Sequence, residues 1–170
     1  MICPLCGTLN LPGADWCRWC QFELAAVDRP APEDRVQRSL MYDPVSVLAP
    51  KPPVILPEAA LLERAMADML DNGVGAVLVV DADGRVVGIL TERDVLNRVA
   101  LEPGYHRHEA ARYMTPSPET VAPSDTLAFA LGKMAGGSYR HVPVVAEGKP
   151  VGVIAVRDIL RHIVTLCTDG

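Results

Sequence analysis

Apolar and polar residues follow one another along this chain in an order that occurs twice. In each copy, apolar residues recur every three or four positions, which predicts an amphipathic helix. These positions are Leu62, Met66 and Met69 in the first copy and Leu127, Leu131 and Met134 in the second. An uninterrupted apolar run follows at 76–80 and at 142–145, as is typical of a strand buried on both faces. Each copy therefore predicts a helix that leads into a buried strand.

The residues after each buried strand complete the repeat. A short turn leads to a second strand, and that strand passes directly into a closing helix. In the two copies these segments are 81–84 and 146–148, then 88–94 and 152–158, then 95–101 and 159–166. Because so small a unit buries little apolar area by itself, two copies are expected to share one core. The predicted fold class is α/β (α+β), with two β-α-β-β-α repeats packed with pseudo-two-fold symmetry.

Prolines mark where each copy begins. Those at 50, 52 and 57 match those at 116, 118 and 123 when the copies are aligned. Seven of the fifteen prolines lie in 28–57, which predicts a linker with extended entry segments before the first copy. We therefore expect a linker over 26–47, a first repeat over 48–101, a second linker over 102–113 and a second repeat over 114–166.

Two segments of the repeat carry a resemblance to a known family. One is the strand 140–145, Arg-His-Val-Pro-Val-Val, and the other is the strand-to-helix step 88–94, Gly-Ile-Leu-Thr-Glu-Arg-Asp. With the duplication, they make residues 48–165 resemble a tandem pair of CBS domains, often called a Bateman module. The resemblance implies a regulatory module that binds adenosine nucleotides and associates through its helices into a homodimer.

Composition and charge argue against several classes of protein. Apolar residues make up 49% of the chain and charged residues 22%, which is a globular profile. The apolar runs are far shorter than the roughly 20 residues of a membrane helix, and no secretory signal is visible. A net charge of -5 with only three lysines disfavours nucleic-acid binding. We expect a cytoplasmic protein without membrane association.

Four of the five cysteines lie within the first twenty residues. Cys3 and Cys6 form one C-x-x-C pair, Cys17 and Cys20 form a second, and ten residues separate the pairs. Four thiolates close a tetrahedral shell, so the spacing predicts a structural Zn2+ site in a short zinc ribbon over 1–25. Iron accepts the same ligands and is the alternative, whereas disulfides are disfavoured in a reducing cytosol. The metal is expected to supply the folding energy of this small segment.

The aromatic residues beside the second cysteine pair admit two interpretations. Trp16 and Trp19 form either an exposed face for a partner or the small hydrophobic core of the ribbon. Nucleic acid is an unfavourable partner for this segment, because Arg18 is outnumbered by Asp15 and Glu23.

The strand-to-helix step of the first repeat also admits two interpretations. Thr91 and Asp94 stand where a helix begins, and Thr and Asp are ordinary caps there. A hydroxyl at a helix start can also bind phosphate, and a carboxylate can accept both ribose hydroxyls. Spacing alone favours capping. The resemblance to CBS pairs implies instead that Thr91 contacts the phosphate and Asp94 the ribose of an adenosine nucleotide.

The second repeat matches the family pattern only in part. Asp158 keeps the carboxylate, but Ala155 replaces the hydroxyl. Arg140 and His141 precede a buried strand, where the family often places residues that contact phosphate, and the first copy has an uncharged Gly75 there. The halves are therefore expected to be complementary, with the nucleotide in the cleft between the repeats. The expected nucleotide-binding residues are Thr91, Asp94, Arg140, His141 and Asp158.

Three other side chains are assigned structural roles. His106 and His108, between the repeats, make a poor metal site, so we expect a solvated loop. Cys167 has no visible acid–base partner and is expected to be a small buried apolar residue. The sequence shows no nucleophile with a base, paired carboxylates or open metal position, so no enzymatic activity is expected.

Two functional hypotheses follow. The first is a regulatory CBS pair that binds AMP, ADP or ATP and signals to an unidentified protein partner by a shift of conformational populations. The alternative is a zinc-ribbon adaptor that binds nucleic acid or protein, with the CBS pair as an unliganded dimerisation scaffold. A homodimer is expected in either case, because the first helix has more apolar positions than one buried stripe requires.

Overall fold

The computed structural model describes residues 2–11, 14–24, 32, 34–99 and 102–168. The chain divides into two compact units, each built from segments that are distant in sequence. The first unit comprises 1–48, 124–140 and 156–170, and the second comprises 49–123 and 141–155. Positions 1, 12–13 and 25 of the predicted ribbon, 26–31 and 33 of the predicted linker, and 100–101 of the predicted first repeat lie outside the described residues.

The second unit contains two β-sheets. The strands are β1 (Ile55–Pro57), β2 (Ala76–Val80), β3 (Val86–Thr91), β4 (Thr115–Pro116), β5 (His141–Ala146) and β6 (Lys149–Ala155). The first sheet has the order β1-β2-β3-β4, with β1 parallel to β2 and the other pairs antiparallel. The second sheet is the antiparallel pair β5-β6. The mixed α+β fold class is confirmed, although the first strand of the second repeat is reduced to a parallel bridge between Val121 and Val144.

The apolar pattern of the first repeat folds as the sequence predicts. Helix α2 (Leu62–Asn72) buries Leu62 and Met69 at helical spacing and ends at Gly73, which has a left-handed backbone. In β2, Val77 packs in the cluster that contains α2, whereas the adjacent Leu78 packs with a second cluster. The strand is therefore buried on both faces, as its uninterrupted apolar run predicts.

The proline segments that open each repeat lie against the last strand of the other repeat. Pro116 in β4 pairs with Gly88 of β3. At the equivalent place in β6, a Cβ atom on Gly152 would lie 2.6 Å from Cβ of Pro50. β6 therefore needs glycine where the proline segment crosses it, because a side chain would occupy the space of Pro50, whereas at Gly88 a Cβ atom would meet the side chain of Met114.

Helices and the cysteine segment form the first unit. Helix α1 (Arg35–Tyr42), capped by Asp34, packs against α4 (Leu127–Gly137) and α5 (Val156–Thr168). Part of the segment predicted to be a linker, Arg35–Tyr42, is therefore a helix that packs against other helices. The buried Ser39 of α1 lies 2.7 Å from Nε2 of His162 on α5, and this polar contact ties α1 to the other helices.

Candidate functional site

The four N-terminal cysteine sulfurs lie in one cluster. Sγ of Cys3 is 3.6 Å from Sγ of Cys20, and Sγ of Cys6 is 3.5 Å from Sγ of Cys17. All four sulfurs lie within 4.8 Å of one another. A tetrahedral ion with metal–sulfur bonds of about 2.3 Å separates its ligands by roughly 3.8 Å. The cluster therefore has the size and the ligand number that a single Zn2+ or iron ion requires.

Two similar backbone turns present these sulfurs. The Gly7 N–H donates to the Cys3 carbonyl at 2.9 Å, and the Gln21 N–H donates to the Cys17 carbonyl at 3.0 Å. Gly7 and Gln21 both have a left-handed backbone, with φ of 71° and 59°. The second turn thus forms without the glycine that suits this geometry best, because glutamine accepts the strained conformation.

Asn10 connects the two turns beside the sulfurs. This buried side chain accepts the Arg18 N–H at 2.9 Å and donates to Sγ of Cys17 at 3.6 Å. Burial raises the pKa of the Cys17 thiol, but N–H and side-chain donors around the sulfur outweigh burial and lower this pKa to about 6. A sulfur that ionises readily suits a metal ligand, since the thiolate is the form that binds. The spacing of the cysteines did not indicate this role for Asn10.

The two turns of the cysteine segment, which was predicted to be a zinc ribbon, have different surroundings. Leu5, in the first turn, packs against α4, where a Cβ atom on Gly132 would lie 3.3 Å from its Cδ1. Trp19, in the second turn, is 79% exposed, and Trp16 is 56% exposed. The core of the ribbon consists of Cys3, Cys17 and Leu24, with partly buried neighbours that include Phe22. The two tryptophans are therefore exposed and do not form this core, and their role as a face for a partner stays a prediction.

Thr91 and Asp94 form a capping box in the first repeat. The Thr91 hydroxyl donates to Oδ2 of Asp94 at 2.6 Å, and the Thr91 N–H donates to the same oxygen at 3.0 Å. The Asp94 N–H donates in return to Oγ1 of Thr91 at 3.3 Å. This box begins α3 (Glu92–Asp94) where β3 ends, three residues before the predicted start of the helix, and a π-helical segment at Val95–Val99 follows. The capping role favoured by spacing is thus present, and a ligand would have to share the Asp94 carboxylate with Thr91.

The start of β5 converges on this step. Nε2 of His141 lies 3.1 Å from the point where a Cβ atom on Gly75 would stand, and Oε2 of Glu92 lies 3.5 Å from the same point. The Glu92 N–H also donates to the Gly75 carbonyl at 3.1 Å. Because Gly75 has no side chain, an imidazole and a carboxylate both approach the position of its missing Cβ atom. The sequence predicted His141 for this site, but the positions of Gly75 and Glu92 depend on contacts between distant segments.

The remaining predicted nucleotide residues belong to the other unit. Arg140 is exposed, and its carbonyl accepts the Val156 N–H at the start of α5. Asp158, in the first turn of α5, has a side chain that is 36% exposed and accepts from Arg161 at 3.3 Å. The Asp94 side chain is only 14% exposed. The two carboxylates predicted to bind ribose, Asp94 and Asp158, therefore have different exposure.

Two structural assignments made from the sequence need correction. His108 is not simply solvated, because its Nδ1 lies within hydrogen-bonding distance of the Tyr113 hydroxyl, and that hydroxyl donates to Glu102 at 2.7 Å. Cys167 is exposed rather than buried. It lies near the end of α5, on a face that nothing in the described chain covers, so its apolar character did not indicate burial.

Known proteins provide two kinds of comparison. The family model of the CBS domain matches residues 45–101 and 110–165. An uncharacterized 17.7 kDa protein of Acidianus ambivalens is 32% identical over 120 residues, which cover 68% of this chain and 69% of that protein. A CBS domain-containing protein of Arabidopsis thaliana is 37% identical over 108 residues, which cover 62% of this chain but only 19% of that protein.

Solved structures share the fold. A CBS domain protein from Pyrobaculum aerophilum, complexed with AMP, has a TM-score of 0.62 and 32% identity, and the match covers 72% of this chain and 98% of that one. A CBS-domain containing protein from Agrobacterium tumefaciens has a TM-score of 0.62 and 29% identity over 69% of this chain and 88% of that one. Among the described residues, no helix has the length and apolar character needed to cross a membrane.

Proposed function

Since this chain belongs to the family of CBS-domain proteins, we propose that it is a regulatory protein that binds an adenine nucleotide and signals its binding to a protein partner. CBS-domain proteins are mostly regulatory, and the comparisons indicate no enzymatic family. The observation that carries the proposal is the likeness to the AMP complex from Pyrobaculum aerophilum, which covers nearly all of that chain.

The first repeat supplies the groups for such a ligand. Asp94 accepts through Oδ2 from Thr91, and its other oxygen is engaged by Arg98 only at 3.8 Å. Ribose hydroxyls are the kind of donor that this carboxylate would accept. The Thr91 hydroxyl and His141 would contact phosphate, and Arg140 and Asp158 are the candidate contributors of the second repeat. The proposed nucleotide residues are those predicted from the sequence.

Regulation would follow from linkage between binding and conformation. A nucleotide held by both the strand-to-helix step and the start of β5 stabilises conformations in which these segments lie together. Conformations in which the two segments are apart become less populated as a result. A partner that binds one of these two sets of conformations more tightly would therefore respond to the nucleotide. No covalent chemistry is required for this response.

The cysteine segment is proposed to be a structural zinc ribbon. All four sulfurs lie within 4.8 Å of one another, and four thiolates fill a tetrahedral shell, so no ligand position would be left open for catalysis. Zn2+ is the metal that structural four-cysteine sites usually hold, and iron, which accepts the same four thiolates, is the alternative. Four free thiols also suit a reducing compartment, and we therefore propose a cytoplasmic location.

A homodimer is proposed from the exposed apolar residues of the helices. Leu70 on α2 is exposed, and Leu160 and Val164 follow each other at helical spacing on α5. Exposed apolar positions on adjacent turns favour association with another surface. The resemblance to CBS pairs makes a second copy the expected partner.

Equilibrium dialysis against AMP, ADP and ATP tests the proposed function. At least one of these nucleotides should bind the parent chain, and Asp94→Asn should weaken that binding. Asp83→Asn is the matched control, because Asp83 is an exposed turn residue whose carboxylate pairs with Arg85. The absence of binding by all three nucleotides would refute the proposal.

A second candidate function has one specific observation in its favour. Trp16 and Trp19 remain exposed while the equivalent first turn of the ribbon packs through Leu5 on α4. An adaptor that docks a protein through these tryptophans, with the CBS pair as an unliganded scaffold, would show no nucleotide binding in the same dialysis. Replacement of both tryptophans would then abolish capture of its partner without changing oligomeric mass.

A further inference from the structure

We propose that Glu92 selects the charge of the ligand, so that the nucleotide site accepts an adenine nucleoside with at most one phosphate group in preference to ADP or ATP. The inference rests on the proposed function, because it concerns the same site. It goes further by assigning a specificity role to a residue outside the predicted nucleotide set.

The geometry over Gly75 places an acid beside the predicted phosphate donor. Oε2 of Glu92 and Nε2 of His141 lie 3.5 Å and 3.1 Å from one point above the Gly75 backbone. The bond from the Glu92 N–H to the Gly75 carbonyl fixes the backbone from which this carboxylate extends. A phosphate group that contacts the His141 imidazole therefore lies close to a negative charge.

The basic side chains of the strand-to-helix step do not neutralise the charge of the Glu92 carboxylate. Arg98 donates through Nη1 to the carbonyls of Tyr113 and Met114, and its Nη2 lies 3.8 Å from Oδ1 of Asp94. These contacts of Arg98 are to two carbonyls and to Asp94, and none of them is to Glu92. The exposed Arg93 has Glu92 and Asp94 as its neighbours in the same turn, so the step itself carries two acids and one exposed base.

The number of phosphate groups decides how strongly this acid opposes binding. Adenosine carries no phosphate charge, AMP carries about two and ATP about four, since the final ionisation of a phosphate has a pKa near 6. Repulsion between exposed groups rises with each added charge and is reduced by solvent and salt. At low ionic strength we expect Glu92 to favour AMP over ATP by about three- to tenfold.

Calorimetric titration with adenosine, AMP and ATP, without added divalent cations, tests the inference on the full chain. The parent should bind AMP at least threefold more tightly than ATP. Glu92→Gln keeps the shape of the side chain and removes its charge, so it should reduce this ratio at least threefold and leave adenosine affinity within twofold. Glu63→Gln is the matched control, because Glu63 is an exposed acid in the first turn of α2, and it should leave the ratio unchanged.

Different outcomes separate this inference from the proposed function. If the parent binds none of these compounds and also fails to bind ADP in the dialysis, the proposed function fails and the inference fails with it. If the parent binds AMP but Glu92→Gln leaves the AMP-to-ATP ratio unchanged, or Glu63→Gln changes it equally, only the inference is overturned. Salt provides a test that needs no variant. Raising the ionic strength should lower the ratio of AMP affinity to ATP affinity for the parent, and a higher ratio would contradict repulsion by Glu92.

Discussion

Gly152 in β6 offers the sharpest test of how the two repeats are joined. A Cβ atom at this position would lie 2.6 Å from Cβ of Pro50 and 3.4 Å from the Lys51 carbonyl oxygen. Carbon atoms in contact prefer a separation of about 3.5–4.0 Å, so Gly152→Ala overlaps the proline by roughly 1 Å. The ring of Pro50 holds its own backbone, and relief therefore requires the entry segment to move away from the strand.

The expected cost is that of overpacking a core position. Such changes destabilise proteins by about 1–3 kcal/mol. In a chain of this size, each kcal/mol lowers the melting temperature by about 2–4 °C, which gives an expected decrease of roughly 2–12 °C. Differential scanning calorimetry or thermal melting followed by circular dichroism measures this change directly.

Two matched glycine substitutions isolate the cause. Gly136→Ala in α4 meets no atom within 4 Å, so it should be neutral or stabilising by up to about 1 kcal/mol. Gly88→Ala in β3 meets the flexible end of Met114 instead of a proline, so it should cost less than Gly152→Ala. A melting temperature for Gly152→Ala at or above that of the parent would refute the reasoning.

Three further predictions concern the metal, the nucleotide and the assembly. Protein purified without chelator should contain about one zinc per chain by elemental analysis. Cys17→Ser should lose the metal, because three thiolates no longer complete the tetrahedral shell. Less than half an equivalent of zinc in the parent would contradict the zinc site. Asp94→Ala should weaken nucleotide binding at least tenfold by dialysis, because it removes hydrogen bonds to a charged group worth about 1.5–3 kcal/mol each; a change within twofold would show that the ribose is bound elsewhere. Light scattering at micromolar concentration should give twice the mass of the 18.3 kDa chain, and a monomer mass would exclude the homodimer.

Short-range patterns in the sequence were sufficient for the repeat. The apolar spacing of Leu62 and Met69 and the uninterrupted run at β2 each depend on a few neighbouring residues, and the structure confirms both. The cysteine spacing likewise indicated a four-sulfur cluster, since each C-x-x-C fixes two ligands locally. Helix α1 was missed because the segment was assigned to a linker from its prolines. Those prolines lie before and after α1 and not within it.

Those short-range patterns do not predict which distant segments of the chain lie together. Gly75 could be recognised as a residue that permits close approach, but nothing local indicates that His141 and Glu92 occupy the space above it. The exposure of Cys167 and the packing of Leu5 on α4 also depend on contacts between distant segments, so local patterns did not predict them. Periodicity and motif spacing act over a few residues, so they were enough to predict most helices and strands of the repeat, the duplication and the candidate ligand residues. Which of those residues lie close together depends instead on packing between segments that are remote along the chain.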